Sequence, residues 1–140
     1  DASKSRGLGD VYKRQIRMRR AREVQERRKM KTSSAKAKGR RLQQQVRTQL
    51  IEELHIHPED IESRPMGSQG EDLIMSRAAR EAFPYSIECK NQEKLNVWSA
   101  WEQAKENCKS YKPLVVMSRN RQETLVVMRL DDLISLHKSS

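Results

Sequence analysis

Two acids and a lysine in the middle of the chain have the residue types and spacing for metal-assisted phosphodiester chemistry. Gly67-Ser68-Gln69-Gly70-Glu71-Asp72-Leu73-Ile74-Met75 reads as a glycine-containing turn entering a strand. Tyr85-Ser86-Ile87-Glu88-Cys89-Lys90 reads as the next strand. Side chains alternate faces along a strand, so Glu88 and Lys90 point to one side and Cys89 to the other. If the segment carrying Asp72 pairs with that strand, Asp72 and Glu88 can share one divalent ion. Lys90 then stands beside them as a cation for the attacking water or the phosphate. Magnesium suits such a pair, because it needs only one or two carboxylates and keeps several waters. Lys90 is a poor base unless its pKa is lowered. The plainer reading is an exposed Glu88–Lys90 ion pair on an edge strand.

These residues need a sheet and helices to hold them. Leu42, Val46, Leu50, Ile51 and Leu54 recur at three-to-four spacing and predict an amphipathic helix over residues 40–54. His55-Ile56-His57-Pro58 ends it, since a proline disfavours helix at the residue before it. Strands are predicted at 61–64, 72–75, 85–90, 113–118 and 124–128. The apolar run Pro113-Leu114-Val115-Val116-Met117 has the character of a strand covered on both faces. A helical turn over 76–83 is closed by Pro84. A second amphipathic helix spans 95–110, and a short helix 131–136 closes the chain. Trp98 and Trp101 lie three apart on that second helix, suited to core packing or, for one of them, base stacking. His55 and His57 lack a third partner at metal-ligand spacing.

Charge divides the chain. Residues 1–41 hold 16 Lys+Arg against 4 Asp+Glu, and residues 42–140 hold 13 against 15. Residues 1–39 therefore read as a basic arm, either poorly ordered or a solvated helix, with Thr32–Gly39 as a small-residue linker. Residues 40–140 read as one domain. Within the arm, Gly7-Leu8-Gly9-Asp10-Val11-Tyr12-Lys13-Arg14-Gln15 resembles a translated adapter read-through, so residues 1–15 are set aside from the fold reading as candidates for a non-native stretch. A basic arm on a near-neutral domain suits a polyanion partner. No run approaches the roughly 20 apolar residues of a membrane span. Cys89 and Cys108, without C-x-x-C spacing, read as free thiols of a reducing compartment.

The Gly-x-x-Gly-x-Asp, the Glu-x-Lys and their strand order resemble the PD-(D/E)xK nuclease superfamily, and more narrowly its small phage-type Holliday-junction-resolvase-like members. The resemblance covers about Lys38 to Leu136, with Glu71 standing where proline is usual. It implies an α/β, restriction-endonuclease-like sandwich with a central mixed sheet flanked by helices. It implies Asp72, Glu88 and Lys90 as catalytic residues, and Asp72, Glu88 and the Cys89 backbone carbonyl as ligands of Mg2+, with Mn2+ as substitute. Members often add an acid from the first core helix, and here that helix offers Gln44 or Gln45 in its first turns and Glu52 or Glu53 further on, an open choice. Gln92 and Gln103 match the polar residue that often follows the Glu-x-Lys. The turn with Ser68 and Gln69 is expected against DNA, with Arg40, Arg41, Arg64, Arg119 and Arg121 as further phosphate contacts. The implied protein is a DNA endonuclease, with branched DNA as one candidate substrate, in recombination, a homodimer by analogy, located in the host cytoplasm. The competing expectations are a non-catalytic DNA-binding module of the same fold and an RNA-binding accessory protein acting through its arm.

Overall fold

The computed structural model describes residues 2–138, with side chains from residue 9 onward except at 31 and 32. Two compact units divide the chain, residues 1–34 and 35–140. A single helix, α1 (Ala2–Leu54), supplies all the described structure of the first unit and the opening of the second. In the first unit it has no wide apolar face. Between residues 9 and 30 only Ile16 is even half-buried. Thr32–Gly39, expected as a linker, is helical. Ala35, Lys36, Ala37 and Lys38 are good helix formers, and no proline interrupts them.

In the second unit α1 carries a buried stripe, Leu42, Val46 and Leu50. Close packing begins as early as Lys38, whose carbonyl accepts from Asn91 Nδ2 at 3.2 Å. A Cβ on Gly39 would meet Met66 Cε at 3.0 Å, so the glycine allows that approach. A 3-10 turn at Pro58–Asp60, capped by His57 Nδ1 accepting from Glu59 N at 3.1 Å, leads into β1 (Ile61–Ser63). That cap is the task His57 performs. Arg47 ties the turn to α1 by donating to the carbonyls of Pro58 and Ile61, each at 2.8 Å.

β1 pairs antiparallel with β2 (Leu73–Met75). α2 (Arg77–Ala82), capped by Ser76, is followed by β3 (Tyr85–Asn91), α3 (Val97–Asn107) and β4 (Lys112–Ser118). β3 and β4 run parallel, with α3 as their crossover. β5 (Leu125–Val127) pairs antiparallel with β4, and α4 (Leu130–Leu136) follows. The three-stranded sheet β3-β4-β5 is therefore mixed. The β1-β2 hairpin joins it through Asp72 N donating to Ile87 O at 2.8 Å.

Alternation along β3 and β4 builds two layers. Tyr85, Ile87, Cys89, Leu114 and Val116 enter the core with the α1 stripe, Ile61 and Leu73. Val115 lies on the other side, under Ala100, Trp101 and Ala104 of α3. The result is the expected restriction-endonuclease-like α/β sandwich. The two tryptophans are separated: Trp101 is buried and Trp98 is 78% exposed.

Candidate active site

The site forms where β2 starts and meets the edge of β3. Its approach is held by Arg64. The Arg64 backbone N–H donates to Asp72 O at 2.8 Å and its Nε donates to Glu71 O at 2.6 Å. Gly70 sits beneath that guanidinium with φ 117°, and a Cβ there would lie 2.9 Å from Arg64 Cζ. The left-handed backbone favours glycine, and an added Cβ would displace the Arg64 guanidinium from its place over the turn. Arg64, expected as a phosphate contact, thus clamps the turn, and its charge lowers the Asp72 pKa.

Glu71 turns inward. It pairs with Arg80 at 2.5 Å, both groups buried, and the Arg80 guanidinium also stacks 4.1 Å from the centre of the Tyr111 ring. The residue standing in the usual proline position is therefore half of a buried ion pair that anchors the strand entrance to α2.

Asp72, next in sequence, faces the site. Its Oδ2 accepts from Cys89 N at 2.6 Å. Gln43 lies close enough to lower the Asp72 pKa, while its Oε1 accepts from Ser63 Oγ at 2.6 Å and its Nε2 donates to Met66 Sδ at 4.0 Å. Glu88 is 1% exposed, and its Oε1 accepts from Asn107 Nδ2 at 2.8 Å. Burial raises the Asp72 carboxyl above its ordinary value, against the Cys89 hydrogen bond and the Lys90 charge. Burial, then the neighbouring Asp72 charge, push Glu88 up to about 7; Asn107 and Lys90 oppose the shift. The same burial and both carboxylates push the Cys89 thiol up, so it is protonated and inert at neutral pH.

Two desolvated carboxylates, one close enough for its charge to raise the pKa of the other, form a donor set suited to a cation. A hard divalent cation suits it, since carboxylate oxygens are the ligands such ions take. Among the described residues no group of three His, Cys, Asp or Glu side chains could hold a metal ion, so the protein side chains offered here are Asp72 and Glu88 alone. In a strand the N–H and C=O of one residue point to the same edge. Cys89 N faces Asp72, so the Cys89 carbonyl faces that edge too. Lys90 follows on the Glu88 face, half-buried and electrostatically coupled to both acids.

On α1 it is Gln43, 4% exposed, that acts on Asp72; Gln44, Gln45, Glu52 and Glu53 face solvent. Gln45 is exposed and donates to Thr124 Oγ1 at 3.2 Å; Gln44, Glu52 and Glu53 are also exposed. The missed signal was helical phase, because Gln43, Val46, Arg47 and Leu50 share one stripe at i, i+3, i+4, i+7. The polar partner on α3 is Asn107, 19 residues after Glu88, and not the exposed Gln103. Gln92 follows β3 with an exposed side chain, and its backbone N–H donates to Ser118 O at 3.2 Å. Ser68 and Gln69 are exposed in the turn before Asp72, with Ser68 Oγ donating to Pro65 O at 2.8 Å. Arg40, Arg41, Arg119 and Arg121 are exposed.

This fold, with an Asp at the strand entrance and a Glu-x-Lys on the adjoining strand, defines a PD-(D/E)xK nuclease. Residues 34–140 match the family model described as "phage putative PDDEXK endonuclease", and the chain belongs to that family. No curated protein and no solved structure matches it. Among the described residues no helix is long and apolar enough to cross a membrane.

Proposed function

We propose that the chain is a magnesium-dependent DNA endonuclease whose machinery is Asp72, Glu88 and Lys90. The observation that carries this reading is the convergence of a buried carboxylate, Glu88, a half-buried one, Asp72, and a lysine at the junction of β2 and β3. Asp72, Glu88 and the Cys89 carbonyl would hold the ion, with Mn2+ able to replace Mg2+. The ion supplies charge stabilisation at the phosphate and a water acidic enough to attack. Lys90 supplies a positive charge toward the developing phosphate charge. Gln43 and Asn107 orient the two carboxylates, as outer partners of metal ligands commonly do.

The polyanion binds through the basic α1 segment, including Arg40 and Arg41, and through Ser68, Gln69, Arg119 and Arg121 around the turn and the β4–β5 connection. The substrate proposed is branched DNA of the Holliday-junction type, met in phage recombination within the host cytoplasm.

The test is cleavage of a labelled four-way junction beside a matched linear duplex, with magnesium or EDTA, for wild type and Glu88→Ala. Magnesium-dependent cutting of the junction alone, lost in the variant, supports the full reading. Cutting of both substrates keeps the site and removes the branch preference. Tight binding without cutting reduces the protein to a DNA-binding module of nuclease fold.

A further inference from the structure

Strand register carries two rows of side chains across the α3 face of the sheet, away from Glu88 and Lys90. Lys90 sits beside Met117, and Met117 beside Leu125. Glu88 sits beside Val115, and Val115 beside Val127. Each row ends in a cavity. Met117 and Leu125 line one of about 490 Å³, with Gln92, Lys94, Arg119 and Gln122. Val127 lines another of about 420 Å³, with Trp98, Trp101 and Arg129. Val97 lines both, so the two adjoin at the start of α3.

The second cavity has the parts that hold the face of a nucleobase. Trp98 is 78% exposed, and Trp101 beside it is buried. The Arg129 guanidinium lies 5.7 Å from the centre of the Trp101 ring, a cation set against a fixed aromatic wall. Indole rings and guanidinium planes both stack on bases.

We propose, on the basis of the nuclease reading, that these adjoining cavities hold an unpaired stretch of the DNA substrate, with one base stacked on Trp98 beside Arg129. Charge selects a single strand over a duplex. In the lining, Lys94, Arg119 and Arg129 are balanced by Glu93, Glu123 and Asp131. Walls without net positive charge hold a phosphate-lined duplex poorly, whereas they bind exposed base faces by stacking. Position selects the same strand that is cut. Leu125 and Val127 lie two strands from Lys90 and Glu88, roughly 10 Å at the usual strand spacing, a distance spanned by a few nucleotides. Between the two, the Gln92 and Gln122 amides offer donors and acceptors to the edge of a neighbouring base.

Fluorescence anisotropy in EDTA reads this binding apart from cleavage. The full chain is titrated against a labelled oligodeoxythymidine of about 12 nucleotides, alone and paired with its complement. Salt at about 0.3 M suppresses the contribution of the basic α1 segment. Trp98→Ala and Arg129→Ala should each weaken the single-strand complex by about tenfold, with the wild-type Tm kept because both side chains are exposed. The duplex complex should change by less than about twofold, and Trp98→Phe, which keeps an aromatic face, should retain most of the single-strand affinity. Equal loss on both substrates overturns the assignment. No loss on either also overturns it and leaves the cavities to a protein or small-molecule partner. A wild-type chain that does not bind the single strand overturns it as well. A wild-type chain that cuts no DNA with magnesium, yet shows the Trp98 effect, supports the single-strand site and sinks the nuclease reading alone.

Discussion

Glu71 and Asp72 are neighbours in sequence and opposites in environment. Glu71 is buried against Arg80, a cation within the same core. Asp72 is placed near another acid, Glu88, and both carboxyls are held above their ordinary pKa. One carboxylate is satisfied by the protein and fixes structure. The other pair is left for something the protein must recruit. Removing a partner from the first cluster should therefore damage the fold. Neutralising a member of the second should relieve the fold and abolish chemistry.

The sharpest contrast is in activity. Asp72→Ala, Glu88→Ala and Lys90→Ala should each lower the cleavage rate by about 10³-fold or more with DNA affinity retained. Single-turnover cleavage and fluorescence anisotropy check this. Cleavage lost only on deleting the basic arm would break the assignment.

Next in size is the ion pair. Arg80→Ala strands the Glu71 charge in the core and should cost about 3–5 kcal/mol, read from urea unfolding. Equal stability of Arg80→Ala and wild type would show that Glu71 is not held as described.

Glu88 sharpens the comparison through pH. Its folded pKa, about 7, lies above the ordinary 4.5. Its contribution to metal-free stability is therefore full below about pH 4.5 and is lost as pH rises through about 7. Glu88→Gln lacks this loss, so at pH 8 without metal it should exceed wild type by up to about 3 kcal/mol. Magnesium should raise the wild-type Tm more at pH 8 than at pH 6, because the ligand must be deprotonated, and should leave Glu88→Gln nearly unmoved. Thermal melts at the two pH values, with and without magnesium, decide it.

The smallest effects fall on the orienting amides. Gln43→Ala and Asn107→Ala should each cost about 1 kcal/mol in stability and about 10–100-fold in magnesium affinity or rate. Gln45→Ala serves as the control and should change neither, since its side chain bonds only the exposed Thr124 among these groups.

Elements with strong periodicity were legible in the chain. The Leu42–Val46–Leu50 stripe, the apolar β4 and the proline stops at Pro58 and Pro84 stand where the pattern puts them. Thr32–Gly39 was misread, because small and basic residues describe a linker and a solvated helix equally well. The two tryptophans looked equivalent at a spacing of three, yet the width of the α3 contact covers Trp101 and leaves Trp98 in solvent.

The sequence by itself determined which side chains share the face proposed to carry the chemistry. Alternation along a strand puts Glu88 and Lys90 on one face whatever surrounds them. Tertiary structure decided what surrounds them. A helix turns about 100° per residue, so choosing Gln43 over Gln45 needs the direction of the sheet that α1 packs on. Asn107 reaches Glu88 only because the α3 crossover returns it to the start of the next parallel strand. Glu71 and Asp72 are adjacent acids in the chain, and only the packing of α2 against the hairpin gives one of them a cation and leaves the other facing Glu88.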